Sequence, residues 1–261
     1  MNSIRVLVHG ALGKMGTEVV KAIKSASDME TVALVDKGYS DESRYSDQSD
    51  ILLSNDIESA LISSKPDVVV DFTNADGCMS CVEIAVAKGV RVVSGSTGLT
   101  DKNIAKLSSL ATEARSGILI ASNFALGMVI LLSLVRKVAP HFEYADIIEA
   151  HHEAKIDAPS GTALALAYAM TEQKEFRRNQ TEIMNLDAST GGDINGVGVH
   201  SLRQPGRSAH HEVIFGASGQ TLTLRHDVLS RDSYMPGVLA AVRSVSDIEG
   251  LVFGLENILG L

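Results

Sequence analysis

Val8-His9-Gly10-Ala11-Leu12-Gly13-Lys14-Met15-Gly16 decides the fold. It follows a short apolar run, Ile4–Val8, and leads into Lys14–Ser25, where Met15, Val19, Val20 and Ile23 recur at helical spacing. Glycines between a strand and a helix let the backbone turn tightly and approach a pyrophosphate, which then rests on the helix N-terminus. The spacing is G-x-x-G-x-x-G rather than G-x-G-x-x-G, so a plain strand-to-helix turn is the alternative. Asp36 sharpens the signal. It closes the next strand about 20 residues beyond the last glycine, where an acid accepts from a ribose 2′-hydroxyl. Lys37 suits either a 2′-phosphate or a solvated surface charge, which leaves NADH and NADPH both open.

Working outward, Thr31–Val35, Val68–Phe72, Val90–Val93 and Ile118–Ala121 read as further short strands, with helices at Cys81–Ala87 and Asp101–Ala114 between them. Strands alternating with helices predict βαβ units and a parallel α/β sheet. The unbroken Val68-Val69-Val70 fits a sheet covered on both faces. Gly95-Ser96-Thr97-Gly98 and Ala121-Ser122-Asn123-Phe124 follow strand ends on the same sheet edge, where ligands of open α/β sheets bind. With the glycine loop they are expected to wall a nicotinamide cofactor.

Beyond Asn123 the pattern changes. Helical stretches Leu126–Val138 and Thr162–Gln173 bracket a strand at Ala145–Glu149. Gly191–Arg203, Glu212–Gly216 and Gln220–His226 then alternate in strand fashion, which predicts an α+β domain with a mostly antiparallel sheet. Glu172–Thr190 has no firm period and reads as loop, while Tyr234–Val245 and Leu251–Leu261 read as helices.

The chain has 261 residues, 45% of them hydrophobic, no Trp and a formal net charge of −9. That charge argues against a nucleic-acid or anionic-membrane binder, both of which need a basic surface. Gly117–Val135 is apolar for nearly a bilayer span of roughly 20 residues, but Ser122, Asn123 and Gly127 divide it into a buried strand and a buried helix. The opening Met1-Asn2-Ser3-Ile4 runs straight into a strand and lacks signal-peptide design, so a cytoplasmic location is expected. Cys78 and Cys81 form a C-x-x-C at the start of an expected helix, where a thiolate is favoured; without further cysteines, packing is the expected role.

The densest chemistry is Glu149-Ala150-His151-His152-Glu153-Ala154-Lys155-Ile156-Asp157-Ala158-Pro159-Ser160-Gly161-Thr162-Ala163. It leaves a strand, crosses a loop and enters a helix whose first amides, near Ser160 and Thr162, are free to bind an anion. His152 and Lys155 add donors and positive charge, so the site suits a carboxylated small molecule. His151 is the natural proton carrier, because its ordinary pKa lies near neutrality. A zinc H-E-x-x-H is ruled out by Ile156 where the second His would stand, and no metal site is expected. A loop with surface histidines is the plainer alternative.

This string resembles the signature of the 4-hydroxy-tetrahydrodipicolinate reductase (dihydrodipicolinate reductase) family. The likeness extends to Gly10–Gly16, Asp71-Phe72-Thr73, Gly95–Gly98, Ser122-Asn123-Phe124, His200–Arg203, His211-Glu212-Val213 and the stretch from His226 through Arg231 to Gly237. Ala125 and Val129 depart from the family's usual Ser and Asn, Lys14 stands where Arg is usual, and the segment after Gln173 diverges. The resemblance implies NADH- or NADPH-dependent reduction of an unsaturated cyclic dicarboxylate to tetrahydrodipicolinate, in the diaminopimelate–lysine pathway. It implies His151 as proton donor and acceptor, Lys155 as proton donor, and His152, Ser160, Gly161 and Thr162 at the substrate carboxylates. Its cofactor contacts fall on Gly10, Ala11, Leu12, Gly13, Lys14, Met15, Asp36, Lys37, Gly95, Ser96, Thr97, Ala121, Ser122, Asn123 and Phe124. It further implies a homotetramer. The expected organisation is a Rossmann-like domain of residues 1–122 completed by 232–261, with 123–231 as the substrate and assembly domain. A dehydrogenase of another substrate, or a nucleotide-sensing protein that lost catalysis, are the competing functions.

Overall fold

The computed structural model describes residues 3–39, 44–45 and 50–261; Met1 and Asn2, which open the stretch expected to lack signal-peptide design, lie outside them. In chain order the elements are β1 (Ile4–His9), α1 (Lys14–Ser25), β2 (Met29–Val35), β3 (Arg44–Tyr45), β4 (Leu52–Ser54), α2 (Ile57–Ser64), β5 (Val68–Asp71), α3 (Ala75–Ala87), β6 (Arg91–Ser94), α4 (Asp101–Ala114) and β7 (Gly117–Ile120). Then come α5 (Leu126–Val138), β8 (Tyr144–His151), α6 (Gly161–Thr171), β9 (Gly192–Ile194), β10 (Val197–Arg203), β11 (Ala209–Ala217), β12 (Gln220–Val228), α7 (Met235–Ser244), β13 (Gly250–Phe253) and α8 (Glu256–Leu259). The chain forms two compact units, one of residues 1–125 with 234–261, the other of residues 126–233.

Among the described residues the first unit has one sheet in the order β13-β7-β6-β5-β1-β2-β4-β3. Every pairing is parallel except β3 with β4. Val6, Leu7, Val8, Val69, Val70, Val92, Val93, Ile118 and Leu119 have no exposed surface, as strands with both faces covered require. From β1 the sheet grows to one side through β2 and to the other through β5, so the crevice beyond the carboxyl ends of β1 and β5 is the switch point where such sheets bind ligands.

Three expectations change. Leu251–Leu261 is not one helix: Leu251-Val252-Phe253 forms β13 beside β7, bracketed by Gly250 (φ 92°) and Gly254 (φ 88°), which break helical periodicity. Gly191–Arg203 is a hairpin of two strands, turned at Asn195 and Gly196, both at positive φ. Helix α3 begins at Ala75 under an Asn74 cap, so Cys78 and Cys81 sit inside the helix rather than at its start. Both thiols are fully buried, and burial together with nearby Asp71 pushes Cys78 up to about 12, which rules out a thiolate there.

The second unit carries the sheet β12-β11-β8-β10-β9. It is mixed: β8 and β10 run parallel, because the chain returns between them through α6, while the other pairings are antiparallel. Helices α5 and α6 pack on each other and on this sheet. Among the described residues no helix is long and apolar enough to cross a membrane.

A Cβ built at Gly117, the first residue of β7, falls 2.3 Å from the Val245 carbonyl oxygen and 2.7 Å from that of Ile248. Both obstacles are backbone. Gly117→Ala is expected to destabilise the chain by about 1–3 kcal/mol, read as a lower urea midpoint at unchanged slope; a wild-type midpoint would show that this edge gives way freely.

Candidate active site

In the first unit, Gly10 holds φ 80°, and a Cβ there would lie 2.7 Å from the Phe72 carbonyl oxygen; one at Gly16 would lie 2.1 Å from the Gly10 carbonyl oxygen. These two positions need glycine. Gly13 caps α1 without a side chain, so the first amides of the helix stay open to an anion. Ala11 is buried, Met15 half-buried, and Leu12, Gly13 and Lys14 exposed. Asp36 Oδ2 accepts the Leu12 N–H at 3.0 Å and Oδ1 the Gly38 N–H at 3.0 Å. The carboxylate thus fastens the glycine loop to the end of β2, and each oxygen retains a further acceptor site. Lys37 is exposed beside it.

The other two walls differ from simple expectation. Thr97 and Ser122 are exposed, but Ser96, Ala121 and Phe124 are buried, and the Ser96 hydroxyl donates inward to Asp71 at 2.8 Å. Asn123 Oδ1 accepts the Ala125 N–H at 2.9 Å. Gly95 is pressed against the Phe72 ring, where a Cβ would lie 2.1 Å from Cε1. A loop without side-chain bulk, open helix amides and an adjoining carboxylate fit a dinucleotide.

In the second unit the strand alternation puts Glu149 and His151 on one face of β8. Glu149 has no exposed surface. Its Oε2 lies 2.5 Å from His151 Nδ1, and Arg203, which pairs with His151 across β10 and β8, donates to Oε2 at 3.0 Å and Oε1 at 2.8 Å. Oε1 also accepts the Ser160 N–H at 3.2 Å. Burial pushes Glu149 up, but hydrogen bonds from Arg203, Ser201 and His151 together outweigh it and hold the carboxyl at about 2. Burial pulls His151 down, and nearby Lys155 and Arg203 add to this, against the opposing pull of Glu149. The ring is therefore neutral at pH 7, with Nδ1–H donated to Glu149. Among the described residues no hydrogen bond reaches Nε2. Burial, with His151 close by, drives His211 down to about 3. That neutral ring packs edge-on to His151 at 5.3 Å and meets Ser160 Oγ at 3.1 Å.

Ser160 caps α6 by accepting the Ala163 N–H at 3.1 Å, and its carbonyl takes the Leu164 N–H. Its own amide is on Glu149. The buried Ser160 hydroxyl is thus committed inward, and the amides left at the helix mouth are those of Gly161 and Thr162. A Cβ at Gly161 would meet nothing within 4 Å, so the space beside it is open. His152 is exposed; Lys155 Nζ pairs with Asp157 Oδ1 at 2.7 Å. Arg203 also donates to the Asp157 carbonyl at 2.6 Å, tying this loop to β10. Sequence reasoning gave Glu149, Arg203 and His211 no role. A position two residues before His151 in a strand is the one signal available for Glu149, whereas the pairing of positions far apart in sequence is set by sheet register. Among the described residues no His, Cys, Asp and Glu cluster is arranged to hold a metal.

Comparison with known proteins gives a consistent picture. Residues 4–124 match the family described as Dihydrodipicolinate reductase, N-terminus, and residues 127–259 the one described as Dihydrodipicolinate reductase, C-terminus. The chain is 43% identical to a 4-hydroxy-tetrahydrodipicolinate reductase of Dehalococcoides mccartyi, over the whole of both chains. It is 42% identical to one of Listeria monocytogenes, covering 98% of this chain and all of the relative. A solved structure, dipicolinate-bound dihydrodipicolinate reductase from Paenisporosarcina sp. TG-14, superposes with a TM-score of 0.89 at 35% identity, covering 98% of this chain and 99% of that one. An amine dehydrogenase from Mycobacterium smegmatis, at 14% identity and a TM-score of 0.66, shares the fold alone. With both halves matched and relatives aligned end to end, the chain belongs to the dihydrodipicolinate reductase family.

Proposed function

We propose that the chain reduces 4-hydroxy-tetrahydrodipicolinate, via dihydrodipicolinate, to tetrahydrodipicolinate with NADH or NADPH, using the residue roles below. The observation that carries the assignment of roles is the neutral His151 ring beside an open helix mouth and Lys155. NAD(P)H, when bound, supplies the hydride. The loop from Gly10 to Gly13, whose amides are tied to Val35, Asp36 and Gly10, lets its pyrophosphate approach the open amides of Lys14 and Met15 at the start of α1, with Asp36 at the ribose and Lys37 at a 2′-phosphate where one is present. Gly95–Thr97 and Ala121–Phe124 line the nicotinamide end. The unit of residues 1–125 and 234–261 is thus the nucleotide-binding domain, and residues 126–233 form the substrate domain.

Two carboxylates must be held against hydride delivery to a conjugated ring. The Gly161 and Thr162 amides, the Thr162 hydroxyl and His152 receive them, with Lys155 adding positive charge. Ser160 acts behind this surface by capping α6. As electrons move toward the ring nitrogen, the site must supply a proton. Lys155 donates it, and His151, with Nδ1–H fixed on Glu149, takes up and returns a proton at Nε2. Dipicolinate, bound by the Paenisporosarcina relative, is an aromatic cyclic dicarboxylate of the kind this surface suits.

The face of the second sheet opposite α5 and α6 carries Ile148, Ile214 and the exposed Leu202. This strip supports a homotetramer assembled through that sheet. A small-molecule reductase of biosynthesis is consistent with the cytoplasm.

Loss of NAD(P)H absorbance on adding freshly prepared substrate tests the activity; no loss with this substrate, but a gain of absorbance when NAD(P)+ is mixed with aspartate or homoserine, would redirect it. Lys155→Ala is expected to lower kcat by about a hundredfold or more while cofactor affinity holds; wild-type rates would remove Lys155 from the mechanism. In Glu149→Gln the carboxylate that attracts a proton to His151 is gone, so the His151 pKa falls further. The acid limb of the kcat/KM profile should then move to lower pH. An unmoved limb would show that Glu149 does not act through His151.

A further inference from the structure

The Asp71-Phe72-Thr73 stretch at the end of β5 takes no part in the roles above, and its carboxylate has no exposed surface, so it touches no ligand. Yet it gathers partners from the ends of β1 and β6 and from the loops after β5 and β6. Oδ1 accepts the Thr73 hydroxyl at 2.7 Å and lies 2.9 Å from His9 Nδ1, in ion-pair range though out of line for a directed hydrogen bond. Oδ2 accepts the Ser94 hydroxyl at 2.7 Å and the Ser96 hydroxyl at 2.8 Å. With its proton committed to Asp71, the Ser96 oxygen turns its lone pairs outward and accepts the Thr73 N–H at 2.8 Å.

The backbone repeats these links. The Gly95 N–H donates to the Asp71 carbonyl at 2.9 Å and the Phe72 N–H to the His9 carbonyl at 3.0 Å. Phe72 then passes the constraint on: its carbonyl backs Gly10, its ring backs Gly95, and its centroid stands 5.6 Å from that of Phe124. Burial pushes Asp71 up, but His9, Thr73 and Ser94 together hold it below the usual carboxylate range, so it stays ionised. Only a carboxylate presents two oxygens that accept and no proton that must itself be housed.

We infer that Asp71 is the positioning residue of the nucleotide shelf: its buried anion clamps the loops after β1, β5 and β6 in the arrangement that NADH or NADPH meets. The inference rests on the proposal that the nucleotide lies on the glycine loop. An amide at position 71 turns one acceptor oxygen into a donor, so a pair of the groups now facing it loses its acceptor. The 72–74 and 94–97 loops are then free to shift while the core beneath them stays packed.

The test is direct titration of the full chain with NADH and with NADPH, by calorimetry, for wild type, Asp71→Asn and Ser94→Ala, with thermal melts of each. Ser94 is fully buried, donates to Asp71 and accepts the Ser96 N–H at 3.2 Å, so its loss acts on the nucleotide only through the clamp. Asp71→Asn should raise Kd for both nucleotides about tenfold or more and Ser94→Ala about threefold. The KM for nucleotide should rise with Kd, with kcat at saturation and the KM for the dicarboxylate within about twofold of wild type, the split that distinguishes positioning from general loss of fold. Should Asp71→Asn fail to fold, Ser94→Ala carries the test. Wild-type Kd in folded variants would overturn this inference alone. Failure of the wild-type chain to bind either nucleotide would overturn the placement of the cofactor as well.

Discussion

A carboxylate with no contact to water must be surrounded by donors, and Glu149 is where the second unit meets that demand. Arg203 supplies two bonds, His151 one and the Ser160 amide one. To bring Arg203 level with His151 and within reach of Glu149, β10 has to lie directly beside β8 and parallel to it, which forces the chain to cross over through α6. To bring in the Ser160 amide, α6 must start at the end of that strand. The loop that carries Lys155 is then bounded at both ends and tied by Arg203 to the Asp157 carbonyl. Removing one member of such a buried pair typically costs about 3–5 kcal/mol, because the other is left charged and uncompensated.

Asp71 solves the same problem with different chemistry. Its donors are the hydroxyls of Thr73, Ser94 and Ser96, all short side chains close to the main chain, with the His9 ring in ion-pair range. A guanidinium reaches across a sheet and joins elements. Small hydroxyls instead fix the backbone from which they spring, which suits a surface whose ligand is expected to meet main-chain amides. In both units a fully buried charge organises the groups proposed to meet ligand.

Much of this was legible in the sequence. Lys14–Ser25, Asp101–Ala114 and Leu126–Val138 have the bounds that their periodicity predicts, since a helix repeats its burial pattern locally. Strand identity was clear where runs were β-branched and continuous. What escaped were features set by tertiary partners. β13 is a strand because β7 offers an edge to it, and its three apolar residues alone fit a helix equally well. β4 and α2 lack a long enough period to stand out. The site divides the same way: His151 and Lys155 announce themselves by residue type, whereas Arg203 depends on register and Ser160 on which way a capping hydroxyl turns. The net charge of −9 likewise says little about the site, whose positive potential comes from helix ends and a few side chains.

The depth at which each charge sits has a further consequence. Counterions screen exposed charges over about 10 Å at ordinary ionic strength but reach buried pairs poorly. Glu149 with Arg203 lies beneath the surface, whereas the Gly161 and Thr162 amides and Lys155 face outward to greater or lesser extent. Salt therefore acts on the two layers unequally. It is expected to compete with the proposed dicarboxylate at the mouth of α6 while leaving untouched the buried framework that fixes the His151 ring.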